Sequence, residues 1–240
     1  MGLREEGDVI AAALDVFVDS FQFIVDEREL ILEKTWEHIV LSGVALVVSI
    51  AIAVPLGVVL GHLHRGSFLA VNIANVGRAL PTLVVIAVGF TFLGIGFTTV
   101  MLALVVLAVP PILTNAYVAV DEVDRDAVEA ARGMGMTPFQ VLRRVELPLA
   151  LPLLFAGIRT AAVFVVATAT IAAIAGGSGL GEILVNQAAY KVEGLVGAAI
   201  CVSLLALAAD AGLGLVQRWL TPAGLKQDVP AFEPDVRPVV

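Results

Sequence analysis

The stretch ALPTLVVIAVGFTFLGIGFTTVMLALVVLAVPPILTNAYVAV, residues 79–120, contains no charged side chain. As one straight helix it would be ~63 Å long, twice the ~30 Å hydrocarbon core of a bilayer. It therefore reads as two passes that turn near Gly94-Ile95-Gly96, as spans 79–94 and 97–120. Working outward, the same search for uncharged runs of about 20 residues finds 39–60 before it. After it come 147–175, interrupted only by Arg159 near its start, and 194–216, with Asp210 inside it. The expectation is an all-α, polytopic membrane protein with a five-span core within residues 35–220.

Composition agrees. With 59% hydrophobic and 15% charged residues and a mean hydropathy of +0.98, the chain carries more apolar surface than a water-surrounded domain of 240 residues buries. Cys201 is the single cysteine, which excludes an intrachain disulfide and a cysteine metal cage. It reads as a small buried hydrophobe. The net charge of −8 argues against nucleic acid as a partner, since phosphates call for clustered Lys and Arg.

Orientation follows from the basic residues. Arg65, Arg78, Arg125, Arg132, Arg143, Arg144, Arg218, Lys226 and Arg237 fall on one side of the five-span scheme, against Arg28, Lys34 and Lys191 on the other. This puts the loop 121–148 and the C-terminus in the cytoplasm and the N-terminus outside. Glu5, Glu6 and Asp8 occupy the place of a positive region, so residues 1–34 are not a signal peptide. Within that segment Asp15, Asp19, Gln22 and Asp26 form one polar stripe at helical spacing. The resulting amphipathic helix either lies on the outer membrane surface or crosses as a sixth span; two acids facing lipid favour the surface. The tail 221–240, with Pro222, Pro230, Pro234 and Pro238, is expected to be disordered.

The loop 121–148 is the only sizeable polar segment between spans. Asp124 is placed to cap a helix through Ala127-Val128-Glu129-Ala130-Ala131, and Gly133 and Gly135 are placed to end it. In Thr137-Pro138-Phe139-Gln140, Thr137 caps a second helix, Pro138 takes its first position and Gln140 completes a capping box. Leu147-Pro148 then returns the chain to the membrane. Small Ala130 and Ala131 suit a helix seated deep in a partner's groove, and Glu129 offers that partner a carboxylate.

Here a resemblance enters. Glu129-Ala130-Ala131, three residues, Gly135, nine residues, Val145, one residue and Leu147-Pro148 resembles the Glu-Ala-Ala-x3-Gly-x9-Ile-x-Leu-Pro signature of ABC importer permeases. Val145 in place of Ile is the one departure. Pro55-Leu56-Gly57, Leu80-Pro81-Thr82-Leu83, residues 110–115 and 145–152, Ala156-Gly157-Ile158-Arg159-Thr160-Ala161 and Gly177-Ser178-Gly179-Leu180-Gly181 are similar to the osmoprotectant subgroup. Arg78-Ala79 departs from the expected Gln-Thr, and no substrate-binding domain is fused. The resemblance implies the type I importer permease fold and a multi-pass location in a prokaryotic cell membrane. It implies inward transport, by alternating access, of a compatible solute of the glycine betaine, choline, carnitine or proline class, with an amino acid or another small polar solute as the alternative. It also implies a cytoplasmic ABC ATPase dimer that carries ATP and Mg, a second permease subunit and a separate extracytoplasmic binding protein. Glu129 to Gly135, with Val145, Leu147 and Pro148, would be the segment that couples to the ATPase. The chain itself would be a transport subunit with no cofactor of its own, and it contains no Gly-x4-Gly-Lys-Ser/Thr phosphate loop.

Polar side chains inside spans are the candidates for a solute path, because each costs free energy in lipid unless it meets protein or water. Asn72, Asn75 and Arg78 share one helical side and lead into Thr82; Asn115 follows in the next span. Pro55, Pro81, Pro110 and Pro111 are expected to interrupt helices. Arg159 is expected to reach the headgroups, and Asp210 to lie near the cytoplasmic end or to be paired within the protein. Gly57-x3-Gly61 reads as a close-packing face. Two other classes compete. Gly176-Gly177-Ser178-Gly179 matches the nucleophile turn of intramembrane serine proteases, but His38, His62 and His64 all precede it, and such a serine needs a base within reach. A transporter working without an ATPase would leave the loop unexplained and often carries acids near the midplane, whereas 79–120 has none.

Overall fold

The computed structural model describes residues 2–64, 72 and 81–222, leaving out the side chains of 2–13 and 172. Asn75, Arg78 and nearly all of the expected tail lie outside the described residues. Among the described residues the chain is helical throughout, with no strand. It runs α1 (Gly2–Asp26), α2 (Arg28–His62), α3 (Thr82–Leu93), α4 (Phe97–Asp121), α5 (Arg125–Gly133) and α6 (Pro138–Val141). A π-helical turn (Leu142–Glu146) leads into α7 (Leu147–Ala169), and a 3-10 turn (Thr170–Ala175) into α8 (Leu180–Val185) and α9 (Gln187–Leu220).

Among the described residues, four helical stretches are long and apolar enough to cross a membrane: Arg28–His62, Phe97–Asp121, Pro138–Ala169 and Gln187–Leu220. Helix α3 is as apolar but has 12 residues, ~18 Å against a ~30 Å core. The residues just before Pro81 are outside the described set. The chain turns between α3 and α4 where the sequence places the turn, with Gly94 at φ 78° and Gly96 at φ 146°, a region that favours glycine.

Span boundaries shift outward from the uncharged windows. Helix α2 begins at Arg28, not 39, and α9 at Gln187, not 194. The reason is length: 35 residues in α2 reach ~52 Å, so its charged first turns extend beyond the hydrocarbon. Helix α9 bends at Lys191 (φ 52°, ψ −165°). The expected span 147–175 ends as α-helix at Ala169 and tightens into the 3-10 turn. Nor do Pro55, Pro110 and Pro111 break their helices. Pro55 lies inside α2, Pro110 and Pro111 inside α4, and Pro152 inside α7, while Pro81 is the cap of α3. A proline removes one N–H, whereas ending a helix in lipid strands several groups.

Helices α4 and α7 form the interior, with α2 against α4 and α9 against α7. Leu104, Ile112, Leu113 and Val165 are among the fully buried side chains. The Gly57/Gly61 face lets α2 press onto α4. A Cβ at Gly57 would stand 2.6 Å from Ala116 Cβ and 2.7 Å from the Leu113 carbonyl; one at Gly61 would stand 2.7 Å from the Tyr117 carbonyl. Helix α1 is not among the four spanning candidates. Ser20, Phe23 and Ile24 seat it against Gly194 and Gly197 near the Gln187 end of α9, and the Phe23 ring meets Tyr190 edge-on at 6.2 Å. Asp15, Asp19, Gln22 and Asp26 are exposed.

The α2–α4 approach leads to a prediction. Gly57→Val forces the two backbones apart and costs about 1–3 kcal/mol, read as a lower midpoint in thermal unfolding of the detergent-solubilised protein. Gly43, with open space around it, is the control; equal behaviour of Gly57→Val and Gly43→Val would refute the packing role.

Candidate functional site

The polar loop folds as an arm at one end of the bundle. The Asp124 carboxylate accepts from the Asp126 amide at 2.9 Å and caps α5. At the other end of α5, the Gly135 amide donates to the Arg132 carbonyl at 2.9 Å and the Met136 amide to Ala131 at 3.2 Å. With Gly135 at φ 82° this is a Schellman C-cap, which satisfies carbonyls that would otherwise be unpaired. Thr137 and Gln140 form the expected capping box, with Thr137 N to Gln140 Oε1 at 2.8 Å and Gln140 N to Thr137 Oγ1 at 3.4 Å. The arm does not stop at Leu147-Pro148: α6, the π-turn and α7 form one continuous helical path.

The arm is two-sided. Glu129 and Ala130 are exposed, as is Gly135. Val128, Ala131 and Val141 are buried in the bundle's own core. Ala131 thus holds the arm to the bundle and is not on the free face, because neighbouring residues on a helix point about 100° apart. Met134 and Phe139, 71% and 68% exposed, project on the free face. Sequence reasoning passed over both; a large apolar side chain inside an otherwise polar loop was the signal. Val145, Leu147 and Pro148 are half-buried at the root of the arm.

Two histidines fasten that root. His62 Nδ1, at the end of α2, donates to Oε2 of the buried Glu146 at 2.5 Å, and His64 Nδ1 donates to Asp121 Oδ1 at 2.8 Å. Both acids bound the arm, one at each end. At the far end of the bundle, Lys34 of α2 reaches Glu182 of α8 at 2.7 Å and Glu37 at 3.1 Å. There the His38 ring lies against Gly179, and its Nε2 donates to the Val166 carbonyl at 2.9 Å. His38 Nδ1 is buried without a hydrogen-bond partner, and Ser178 is exposed. No serine–base pair is formed, so the protease geometry is lacking. The glycine-rich turn is also less open than a surface loop, because Gly179, Leu180, Gly181 and Ile183 are buried.

Of the path candidates, Asn72 is exposed and Thr82 is half-buried at the start of α3. Asn115 donates to the Pro111 carbonyl at 2.8 Å and fills the space left by Gly157 of α7. Its contacts make it a helix-packing residue. Asp210 of α9 is paired within the protein, one of its two expected placements: Arg159 of α7 grips it through Nε to Oδ1 at 2.8 Å and Nη2 to Oδ2 at 2.7 Å. Gln217 Oε1 accepts from Arg159 Nη1 at 3.4 Å, and Gly214 leaves room for the guanidinium. Arg159 is thus tied to a partner within the bundle.

With this geometry in view, the comparisons with known proteins are direct. Residues 53–222 match the sequence profile of the family described as "Binding-protein-dependent transport system inner membrane component". The choline transport system permease protein OpuBB of Bacillus subtilis is 39% identical over 207 residues, 86% of this chain and 95% of that protein. The carnitine transport permease protein OpuCB of Listeria monocytogenes is 35% identical, over 89% of this chain and 97% of its own length. Among solved structures, the MetNI methionine ABC transporter in inward-facing conformations superposes with a TM-score of 0.71 at 23% identity. That match covers 82% of this chain and 99% of the other, and at that identity shows the fold alone.

The anchoring of the arm is testable by removing one partner of its buried pair. His62→Leu leaves the Glu146 carboxylate buried and unpaired and lowers stability by about 3–5 kcal/mol. His62→Leu combined with Glu146→Leu recovers most of that loss. Thermal unfolding of the purified variants reads both; a single variant as stable as the wild type rules out the anchoring role.

Proposed function

The chain belongs to the binding-protein-dependent transport system inner membrane components, and from that premise we propose a specific cargo, orientation and docking face for it. As a family member it is the membrane-spanning permease subunit of an ABC importer, with ATP hydrolysis carried out by a separate subunit. The cargo proposed is a compatible solute of the glycine betaine, choline, carnitine or proline class. Support comes from relatives that cover nearly the whole chain and are described as choline and carnitine permeases, and from the similar Osmoprotectant import permease protein OsmW of Salmonella typhimurium, 34% identical. The amino-acid alternative rests on fold likeness below 25% identity and so has less behind it.

The observation that carries the docking assignment is the two-sided arm. Its inner side is built into the core through Val128, Ala131 and Val141; its outer side offers Glu129, Ala130, Met134 and Phe139. That face suits a groove with an apolar floor and a donor for the Glu129 carboxylate. We assign it to a cytoplasmic ATPase dimer that carries ATP and Mg, which places the arm and the C-terminus in the cytoplasm of a prokaryote. The end bearing Lys34, Glu182 and α1 then faces the binding protein. A second permease subunit, identical or related, completes the transporter in this reading.

Two results test this. Glu129→Lys is expected to leave membrane insertion intact while glycine betaine uptake falls and the ATPase co-purifies poorly; unchanged uptake and co-purification together rule out the docking face. In a Cys201→Ser background, Ala130→Cys is expected to react with a membrane-impermeant thiol reagent from the cytoplasmic side and to be protected when the ATPase is bound. Reaction from the outside contradicts the orientation.

A further inference from the structure

Arg159 lies ~18 Å along α7 from Leu147, and Asp210 ~15 Å along α9 from Leu220. Both groups therefore lie inside stretches long and apolar enough to cross the ~30 Å hydrocarbon core. They are not sealed between helices: their side chains are 35% and 36% exposed. They open onto a groove of about 390 Å³ lined by Ala156, Arg159, Thr160, Val163, Phe164 and Asp210, within the ~300–1,000 Å³ range of small-molecule sites. An ion pair at this depth that faces lipid would be costly, so such an opening belongs to a water-filled path or to a neighbouring subunit. A clamp between α7 and α9 would need only a closed, buried pair. Here, by contrast, the stripe Ala156, Thr160 and Phe164 stays exposed beside it.

The chemistry of the groove is that of a zwitterion's counterpart. Arg159 has five N–H donors, of which Asp210 and Gln217 take three. A planar guanidinium matches a carboxylate. Asp210 supplies the opposite charge a few ångströms away, and the half-exposed Phe164 supplies an aromatic face, to which quaternary ammonium groups are attracted. We propose that this groove is a transit site for the zwitterionic solute, with Arg159 taking its carboxylate and Asp210 with Phe164 taking its cationic end. The empty site is self-neutralised by the Arg159–Asp210 pair, and the solute exchanges one ion pair for two. The solute class rests on the function proposed above.

The test uses the assembled importer in proteoliposomes, with radiolabelled glycine betaine outside and ATP within. Two variants separate a solute site from a clamp. Arg159→Met with Asp210→Leu replaces the pair by apolar side chains of similar size, a change that often leaves stability intact. Ala156→Phe fills the groove from an exposed position and keeps both charges of the pair. In both, assembly and binding-protein-stimulated ATP hydrolysis are expected to persist while the initial uptake rate falls by about tenfold to a hundredfold, the loss expected for charged hydrogen bonds. Uptake at the wild-type rate in either variant overturns the site and leaves the pair as a helix clamp. If the double variant fails to assemble, Ala156→Phe alone decides on the same readout. A wild-type importer that accumulates no glycine betaine overturns the solute reading and this assignment with it, an outcome distinct from variants that transport normally.

Discussion

Hydrocarbon offers no hydrogen-bond partner, so every backbone N–H and C=O within the membrane must be satisfied by its own segment or a packed neighbour. That requirement governs this chain. It carries α2 through Pro55 and α4 through Pro110 and Pro111 without a break. It also turns hydroxyls back onto the helix: Ser42 bonds the His38 carbonyl, Ser49 that of Ala45, Thr114 that of Pro110 and Ser203 that of Ala199. Once the spans are continuous rods, what distinguishes one arrangement from another is how closely they approach. Gly57 and Gly61 set that distance between α2 and α4, and Gly157 sets it between α7 and Asn115 of α4. The non-helical backbone at Gly176 to Gly179 is covered in part: Gly179 is buried against the His38 ring and Gly176 lies beside Ile95, while Gly176 and Ser178 stay exposed.

Charges are sorted to the two ends and one central point. One end holds His62–Glu146 and His64–Asp121, which tie α2 and α4 to the limits of the arm. The opposite end holds Lys34 between Glu37 and Glu182. This sorting agrees with the alternation of spans read from basic residues, because α2 brings Lys34 to one set of partners and His62 to the other. Between the ends, Arg159–Asp210 lies inside the spanning stretches with Gln217 beside it, and that position is why it weighs more heavily than the surface pairs. An exposed ion pair is worth little; one inside a span is retained only where it meets something polar.

What the sequence made legible follows from the range of the interaction concerned. Caps and turns rest on residues within a few positions of each other, so Asp124, Thr137 with Gln140, Gly135 and the Gly94–Gly96 turn were all readable from local chemistry. Span ends were not, because charge marks where hydrocarbon stops and not where the helix stops. Nor was the sidedness of the arm: adjacent alanines look alike in sequence, yet Ala130 faces out and Ala131 faces the core. Arg159 and Asp210 lie 51 positions apart, so no periodicity links them; only the packing of α9 on α7 does. Asn115 was legible as polar within a span but not as filling the space beside Gly157, since that depends on a partner helix.

The π-turn at Leu142–Glu146 joins these features. A π-turn adds a residue to one helical turn, which shifts the faces of everything beyond it. Here it brings Glu146 inward to His62 while the path from α6 into α7 remains helical. Arm and groove are therefore carried on the same rod, with Phe139 near one end and Arg159 farther along. Asp210 is carried on another, α9, whose main neighbours are α7, α1 and α8. A force that turns the arm about its His62–Glu146 anchor must turn α7 relative to α9 unless the rod bends. The Arg159–Asp210 pair spans the seam between those two helices. A displacement of the arm therefore reaches that pair through a single helix, α7.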